Sequence, residues 1–495
     1  MKRYLLSLAL AGLLSACVLP PKDEPRESAV DAQKLGLGTT PAAQVRDGWW
    51  QVYGDAQLNR IIEESLANNP SLEVALARVR EAQSQADTAH AKLLPSSSLD
   101  ADEVRMRASD TSIFPPPYGG ETLWIGQTAA TLSWDIDFWG KQRDRIREAR
   151  EQTVAASLDV AGARLALAGA LAQAYLDLSR NYAMADIAQD SVQQRDHIRQ
   201  LTIQRVHAGL DTNVELRQAD GAVPQSRVQL AQAQAAQALA VHQLAALSGH
   251  GADAYADITR PQLKLDAAQP LPDSLPADLL GRRPDVLAAK ARVEAAIAGR
   301  AAAKAEFYPD VSLTGFAGFQ AIGLADLARA ASRTYGIGPA LSLPLFDAGR
   351  LKANYRGSTA ELDEAVASYN ETVLGAVRQV ADQLSNLQAL QSEMAEQQKS
   401  LDAAEAAYRL AQERYAAGLS GYLTVLSAET QVLSARRTMV DLASTQAVTR
   451  VTLLLALGGS FNPNPPSGAP AAAAAAPDAT QAQNSPETSH ENSQE

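Results

Sequence analysis

The chain is written twice, and a fold made of two similar halves is the first constraint on it. The stretch from Asn69-Pro70 to Leu94-Pro95 returns as Arg283-Pro284 to Tyr308-Pro309, both prolines carried by the same step. Each copy holds Ala-Arg-Val, at Ala77 to Val79 and Ala291 to Val293. Further on, Arg205-Val-His-Ala-Gly209-Leu210 returns as Arg414-Tyr-Ala-Ala-Gly418-Leu419. A period of about two hundred residues is too long for a solenoid unit and marks two halves of one architecture. Chance likeness among alanine-rich helices would not keep the prolines and glycines in register.

Aromatic residues make up 5% of the 495 residues and alanine is abundant. Large cores need bulky side chains, so thin layers of helix on helix are expected. A net charge of −12 argues against a nucleic-acid surface. At the start, Lys2-Arg3 precede an apolar run from Tyr4 to Ala16, too short to span a bilayer and suited to a signal peptide. It ends in Leu14-Ser15-Ala16-Cys17, which resembles the lipobox of bacterial lipoproteins. Cleavage before Cys17 would free its thiol to carry lipid, and Val18 rather than aspartate after it suggests sorting to the outer membrane. Cys17 is the chain's one cysteine, so no intramolecular disulfide or thiol metal cluster can form. Beyond Ser460 the composition turns to Asn, Pro, Ala, Gln, Ser and Glu, and a disordered tail is expected.

From Lys352 to Ala417 apolar residues keep a heptad: Val366, Val373, Val380, Leu387, Met394, Leu401, Tyr408 and Tyr415, with Leu362, Tyr369, Ala376, Leu390, Ala404 and Ala411 in the second register. Such a period makes helices supercoil left-handedly on their neighbours. At 1.5 Å per residue this helix runs on the order of 100 Å, several bilayer cores long, and must project through water. Gly418 breaks it and Tyr422 to Leu457 returns, forming a hairpin. The first half repeats the plan from Lys141 to His207 and from Asn213 to Leu247, with seam residues Leu171, Tyr175, Leu178, Tyr182 and Ala185. Pro224 inside the return helix predicts a bend.

Between these helices lie segments of period two. Ala130, Leu132, Trp134, Ile136 and Phe138 share one face, with Thr131, Ser133, Asp135 and Asp137 on the other. This is the pattern of a membrane β-strand, apolar to lipid and polar to lumen. Val311, Leu313, Gly315, Ala317 and Phe319 predict a second strand, Ile337, Leu341, Leu343 and Leu345 a third, and Ser98 to Arg107 a more polar fourth. Phe114 to Gly120 and Ile322 to Arg333 are read as loops. Four strands cannot close a barrel in lipid, because the open edges would be unsatisfied. Two chains would give eight strands and a filled interior, three would give twelve and a passage.

Trp49-Trp50, Asp55-Ala-Gln-Leu58, Asn69-Pro70, Asp137-Phe-Trp-Gly-Lys141, Arg282-Arg-Pro-Asp285, Phe307-Tyr-Pro309 and Leu343-Pro-Leu-Phe-Asp-Ala-Gly-Arg350 resemble the TolC-like outer membrane factor family, in particular its NodT-type efflux lipoproteins. The resemblance runs from about Cys17 to Gly459. It implies a mixed α and β membrane tube: a homotrimer whose shared twelve-stranded transmembrane β-barrel continues into a periplasmic α-helical coiled-coil barrel. It implies docking on a periplasmic adaptor and an inner-membrane efflux transporter that supplies the energy, with no cofactor, metal or catalytic residue. The expected segments are a signal peptide at 1–16, a lipid-anchored N-terminal segment at 17–68, repeats at 69–272 and 273–459, and a tail at 460–495. The family's adaptor contact falls on the hairpin tips, here Gly209-Leu210 and Gly418-Leu419. Its periplasmic gate falls on Leu423, Thr424 and Ser427. Neither Thr424 nor Ser427 is a carboxylate, which leaves Glu215, with Asp211 nearby, to carry charge at the mouth.

Other classes stay in view. His90, His197, His207, His242, His250 and His490 form no ligand-spaced group, and no Gly-rich phosphate loop occurs, so an enzyme is not expected. A structural periplasmic lipoprotein would share the anchor and the coiled coil, a passive porin would share the barrel, and a duct for type I protein secretion would share the family.

Overall fold

The computed structural model describes residues 21–22, 24–31, 34–38, 45, 47–111, 117–265, 276 and 278–462. The signal peptide, Cys17, most of the C-terminal tail and residues 112–116 of the first loop lie outside the described residues.

The two halves carry the same elements in the same order. In the first, α1 (Ala56–Asn68) leads into α2 (Pro70–Ala91), β1 (Ser96–Arg107), β2 (Thr122–Ile136), α3 (Lys141–His207) and α4 (Asn213–Leu247). The second has α5 (Pro284–Ala305), β3 (Asp310–Ile322), β4 (Arg333–Ser342), α6 (Arg350–Ala416) and α7 (Tyr422–Ala456). Helices α3 and α6 are both 67 residues long, α4 and α7 both 35, and α2 and α5 both 22. Pro224 neither ends nor splits α4, which runs through it as one helix.

Local chemistry explains why the halves match. Pro70 and Pro284 each begin a helix at its first turn, where a missing N–H costs nothing. The residue before each proline fastens that helix to the end of its own hairpin. Asn69 caps α2 through the Ser71 N–H and donates Nδ2 to the Leu247 carbonyl at 2.8 Å. Arg283, its counterpart, has no side-chain cap but donates Nη1 to the Ala456 carbonyl, also at 2.8 Å. The two side chains differ while the fastening is the same, satisfying a C-terminal carbonyl that a helix leaves open.

The core is thicker than the low aromatic content suggests. Trp49, Trp50 and Tyr53, from a 3₁₀ turn, pack with Leu58 and Ile62 of α1 against Leu171, Tyr175 and Leu178 of α3, with Leu244 and Val451 closing the cluster. The expectation of thin helical layers fails here because several of the few aromatics are gathered at this level. The N-terminal stretch expected only as an anchor segment supplies this belt. Asp55 is its polar hub: it caps α1 through the Gln57 N–H, takes the Tyr175 hydroxyl at 2.8 Å and takes the Gln262 N–H at 2.6 Å. Burial, then the bond to Asp55, pushes the Tyr175 phenol up, so it remains the donor.

The long helices bury their heptad seams at both ends. On α6, Leu362, Val366, Val373, Val380, Leu387 and Leu390 are buried toward one end and Tyr408, Ala411 and Tyr415 at the other. Met394, Leu401 and Ala404 between them are half-buried.

The four strands form one antiparallel sheet in the order β1-β2-β3-β4. Its register pairs Leu99 with Ala130, Leu132 with Gly315, Trp134 with Leu313, Val311 with Leu341 and Gly315 with Ile337. Opposed residues share a face, so the predicted apolar sets merge into one surface. Ser98, Thr131, Ser133, Ser312 and Thr314 lie on the other, together with Phe316 opposite Thr131. The strand limits needed correction. Strand β2 begins at Thr122, eight positions before the clear alternation, and ends before Phe138, which lies in the bend leading to α3. Leu343 and Leu345 lie beyond β4, whose alternation is instead carried by Tyr335, Ile337, Pro339 and Leu341. Residues 322–333 form the expected connection, with a short helical turn at Leu324–Leu327. Ile337 and Leu341 are 74% and 71% exposed, so among the described residues no apolar layer covers that part of the face.

Replacing Asp55 with alanine removes a helix cap and strands the buried Tyr175 hydroxyl, at a cost of roughly 2–4 kcal/mol. Thermal melting of the detergent-solubilised protein should show a clearly lowered midpoint; a midpoint equal to wild type would mean that Asp55 does not hold the belt.

Candidate functional site: the paired hairpin tips

Both hairpins turn by the same device. Gly209 and Gly418 adopt φ of 71° and 79°, the left-handed backbone that a side chain resists. The Leu210 N–H donates to the Arg205 carbonyl at 2.9 Å and the Gly209 N–H to Val206 at 3.0 Å; Leu419 to Arg414 and Gly418 to Tyr415 repeat the pattern at 2.8 and 3.0 Å. These paired bonds satisfy the last carbonyls of α3 and α6. Leu210 and Leu419 are left 61% and 70% exposed, so each tip offers an apolar side chain to whatever meets it.

The return helices start differently. Thr212 and Glu215 form a reciprocal capping box on α4: Val214 N–H donates to the threonine hydroxyl, and Glu215 Oε2 accepts from the Thr212 N–H at 2.9 Å and from its hydroxyl. These bonds, the hydroxyl first, hold the Glu215 carboxyl below its ordinary range. Helix α7 starts at Gly421, which has no side chain to cap with. Leu423, Thr424 and Ser427 are all exposed over its first two turns, and Leu423 matches Val214 of the first hairpin, each 63% exposed.

A charged clamp that the sequence reading missed joins the two tips. Arg205 meets Asp211 with two parallel bonds, Nε to Oδ2 at 2.7 Å and Nη2 to Oδ1 at 2.9 Å, and donates Nη1 to the Tyr415 carbonyl of the second hairpin. Its guanidinium lies 4.3 Å over the Tyr415 ring. The Tyr415 hydroxyl donates to Asp211 Oδ2 at 2.7 Å and lies 2.9 Å from the Thr202 hydroxyl. Side chains of Arg205 and Asp211 are 6% and 7% exposed. The paired bonds outweigh the desolvation of both groups. The Arg205 hydrogen bond, opposed by burial and helped by Tyr415, holds the Asp211 carboxyl below the usual carboxylate range. Burial is the main cause that pushes Tyr415 up to about 12. The clamp sits on an apolar cluster of Ile198, Ala219, Tyr408, Ala411, Tyr422 and Val425 drawn from all four hairpin helices.

A second buried pair lies nearby. Arg195 of α3 donates Nε to Glu429 of α7 at 2.9 Å and Nη1 to the Ala222 carbonyl of α4 at 3.2 Å. Burial pushes the Glu429 carboxyl up, against the pull of Arg195. Neither Arg205 nor Arg195 stands out in the sequence: Arg195 pairs with Glu429 of another helix, and Arg205, though its Asp211 lies just beyond the turn, reaches Tyr415 of the other hairpin only in the folded chain. The only signal was Tyr415, a polar-tipped residue on an apolar seam. Of the two carboxylates expected to carry charge at the mouth, Asp211 is offset by Arg205, and Glu215, held ionised, is tied to its helix cap. Among the described residues no group of three or more His, Cys, Asp or Glu could hold a metal ion.

With this geometry in hand, comparison with known proteins is informative. A family profile described as "Outer membrane efflux protein" matches residues 61–250 and 275–459. The chain is 35% identical over 362 residues to the fusaric acid resistance protein FusA of Burkholderia cepacia, covering 71% of this chain and 68% of that one. It is 31% identical over 473 residues to the probable efflux pump outer membrane protein TtgC of Pseudomonas putida, covering 93% and 96%. The crystal structure of the outer membrane protein VceC of Vibrio cholerae matches with a TM-score of 0.78 at 36% identity, over 85% of this chain and all of the other.

Because Asp211 is depressed, its contribution to the clamp is fully present above the ordinary aspartate value and is lost only as pH falls through the lowered one. Amide exchange around Leu210 and Leu419, corrected for intrinsic rate, should stay flat from pH 7 to 5. In Asp211→Asn it should rise severalfold at both tips; a rise at the first tip alone would show that the clamp does not couple them.

Proposed function

This chain belongs to the outer membrane efflux protein family of TolC-like outer membrane factors, and from that premise we propose that three copies close into one exit duct working with a periplasmic adaptor and an inner-membrane transporter. The observation that carries the reading is the sheet, four strands with one apolar face, one polar face and two open edges, β1 and β4. In lipid those edges must be paired. Joining β1 of one copy to β4 of the next gives twelve strands around an aqueous passage, with Ser98, Thr131 and Thr314 turned inward. The exported molecules are small toxic organic compounds, a class in keeping with a relative named for fusaric acid resistance.

Anchoring by lipid on Cys17 is supported by the path of the N-terminal strap. The Arg26 and Glu27 N–H groups donate to Asp363 Oδ1 at 2.7 and 3.1 Å, Val30 N–H donates to Asn370 Oδ1 at 2.8 Å, and Asn370 Nδ2 returns a bond to the Ser28 carbonyl at 2.9 Å. Leu35 then packs by Val373 and Leu37 by Val380. The strap therefore runs along α6 in the helix's own direction, and its earlier residues point toward the sheet. Asp363 is about 20 Å along α6 from Arg350. The chain from Arg26 back to Cys17 can extend on the order of 30 Å, enough to bring a lipid to the membrane edge of the barrel. Wild type should incorporate radiolabelled palmitate and Cys17→Ser should not; label retained in that variant would place the lipid elsewhere, and an unlabelled wild type would mean no lipid at all.

At the far end, Leu210 and Leu419 serve as the adaptor contact, and Leu423 beside Thr424 and Ser427 narrows the mouth while the Arg205–Asp211–Tyr415 clamp holds the two hairpins together. Closure here is steric, since the carboxylates of the first hairpin are already partnered. In planar bilayers the wild-type protein should pass little current, and Leu423→Ala should raise single-channel conductance severalfold. A large, steady wild-type current would indicate a passive porin, and inserted protein with no current in either form would indicate a structural lipoprotein.

A further inference from the structure

We propose that Arg143, Arg147 and Arg150 form a docking strip for anionic phospholipid headgroups in the leaflet facing the helices. The inference rests on the outer membrane reading above and assigns that surface its ligand.

The two sides of the junction between sheet and helices can be told apart. Asp310 and Ser342 are opposed on the polar face of the sheet. They line one groove with Lys141, Arg145 and Glu148 of α3. On the apolar face, Trp134 donates Nε1 to the Leu93 carbonyl at 2.8 Å. Leu93 and His90 line a different cleft with Arg143, Arg147 and Arg150. Two residues along an α-helix turn the side chain by about 200°, so the strip 143, 147, 150 lies opposite 141, 145, 148. The three arginines therefore continue the lipid-facing side of the barrel.

Their immediate surroundings fit that partner. Phe138 and Trp139, at the start of α3, are 63% and 53% exposed, and Trp139 is fixed by donating to the Pro309 carbonyl and stacking on Tyr308. Exposed aromatics at this level suit a membrane interface. The carboxylates beside the strip are Asp137, Asp144 and Glu151. Asp137 caps α3 and takes the Arg143 Nε at 3.3 Å. Arg147 stands 3.9 Å from Asp144, and Arg150 has no ion-pair partner among the described residues. Side chains on a helix lean toward its N-terminus, which for α3 is the sheet end, so Arg147 and Arg150 reach toward the membrane. Helix α3 is flanked by α2 and α5 of its own chain, which leaves a neighbouring copy to meet α2 and α6 instead.

The test compares wild type with Arg147→Gln/Arg150→Gln, which spares the Asp137 cap, and with Arg378→Gln/Lys399→Gln, exposed charges far along α6. Each protein is reconstituted in vesicles of phosphatidylcholine with or without phosphatidylglycerol, checked for insertion by flotation, and released for native mass spectrometry of retained lipid. Wild type and the α6 control should retain phosphatidylglycerol preferentially, and the α3 variant should lose that preference by roughly tenfold. Equal retention in the α3 variant, no preference in wild type, or displacement by inorganic phosphate at matched ionic strength would overturn the proposal. Failure of wild type to float with vesicles would instead strike the membrane reading on which it rests.

Discussion

Everything above and below the sheet depends on backbone hydrogen bonds that one chain cannot complete. Four strands with antiparallel pairing satisfy each other on the inside and leave the outward groups of β1 and β4 open. In water such edges invite aggregation, and in lipid each unpaired group costs several kcal/mol. Among the described residues no second layer covers Ile337 and Leu341, which stand exposed on the sheet's apolar face. Both deficits are removed together if copies join edge to edge with lipid outside and water inside. On the proposed reading, oligomer, membrane and passage all answer one unmet requirement.

The helices solve a different problem, that of staying rigid over a length on the order of 100 Å with few large side chains. Apart from Phe307 and Tyr355 near the sheet, the chain gathers its buried aromatic bulk at two levels. One is the belt, where Trp49, Trp50 and Tyr53 brace the middle of α3. The other is the tip, where Tyr408, Tyr415 and Tyr422 cluster beneath the Arg205 clamp. Between them the seams of alanine, valine and leucine are enough to keep helices in register. Duplication halves the design problem, since one plan of helix, two strands and hairpin is used twice. The fastening of Asn69 to Leu247 and of Arg283 to Ala456 shows that the plan outlives the side chains that first carried it.

The departures from exact repetition fall where function is read. Only the first hairpin has a capping box, and only the second supplies the tyrosine on which Arg205 rests. The ion pair of the first tip grips the tyrosine of the second through hydrogen bonds and a cation–π contact, an arrangement that needs the two tips to differ. The same asymmetry binds up the acidic groups and leaves leucine exposed at both turns.

Much of this could be read from residues alone, and the reason is periodicity. A heptad from Leu362 to Tyr415, alternation through Ala130 to Ile136, and glycines repeated with the prolines each report geometry that the backbone imposes locally, so helix, strand and turn were legible without coordinates. Alternation failed at the strand ends: Phe138, Leu343 and Leu345 keep the apolar pattern beyond the last paired residue, because apolar side chains are wanted at a membrane edge whether or not the backbone is in a ladder. What only the tertiary structure decided were the contacts between distant elements. The belt around Asp55, the contacts of Arg205 and Asp211 with Tyr415, the pairing of Arg195 with Glu429, and the strap along α6 all join residues far apart in sequence. Single charged side chains carry no period, and their partners are chosen by packing, so the sequence determined the parts and their repeat while the folded chain determined which parts hold one another.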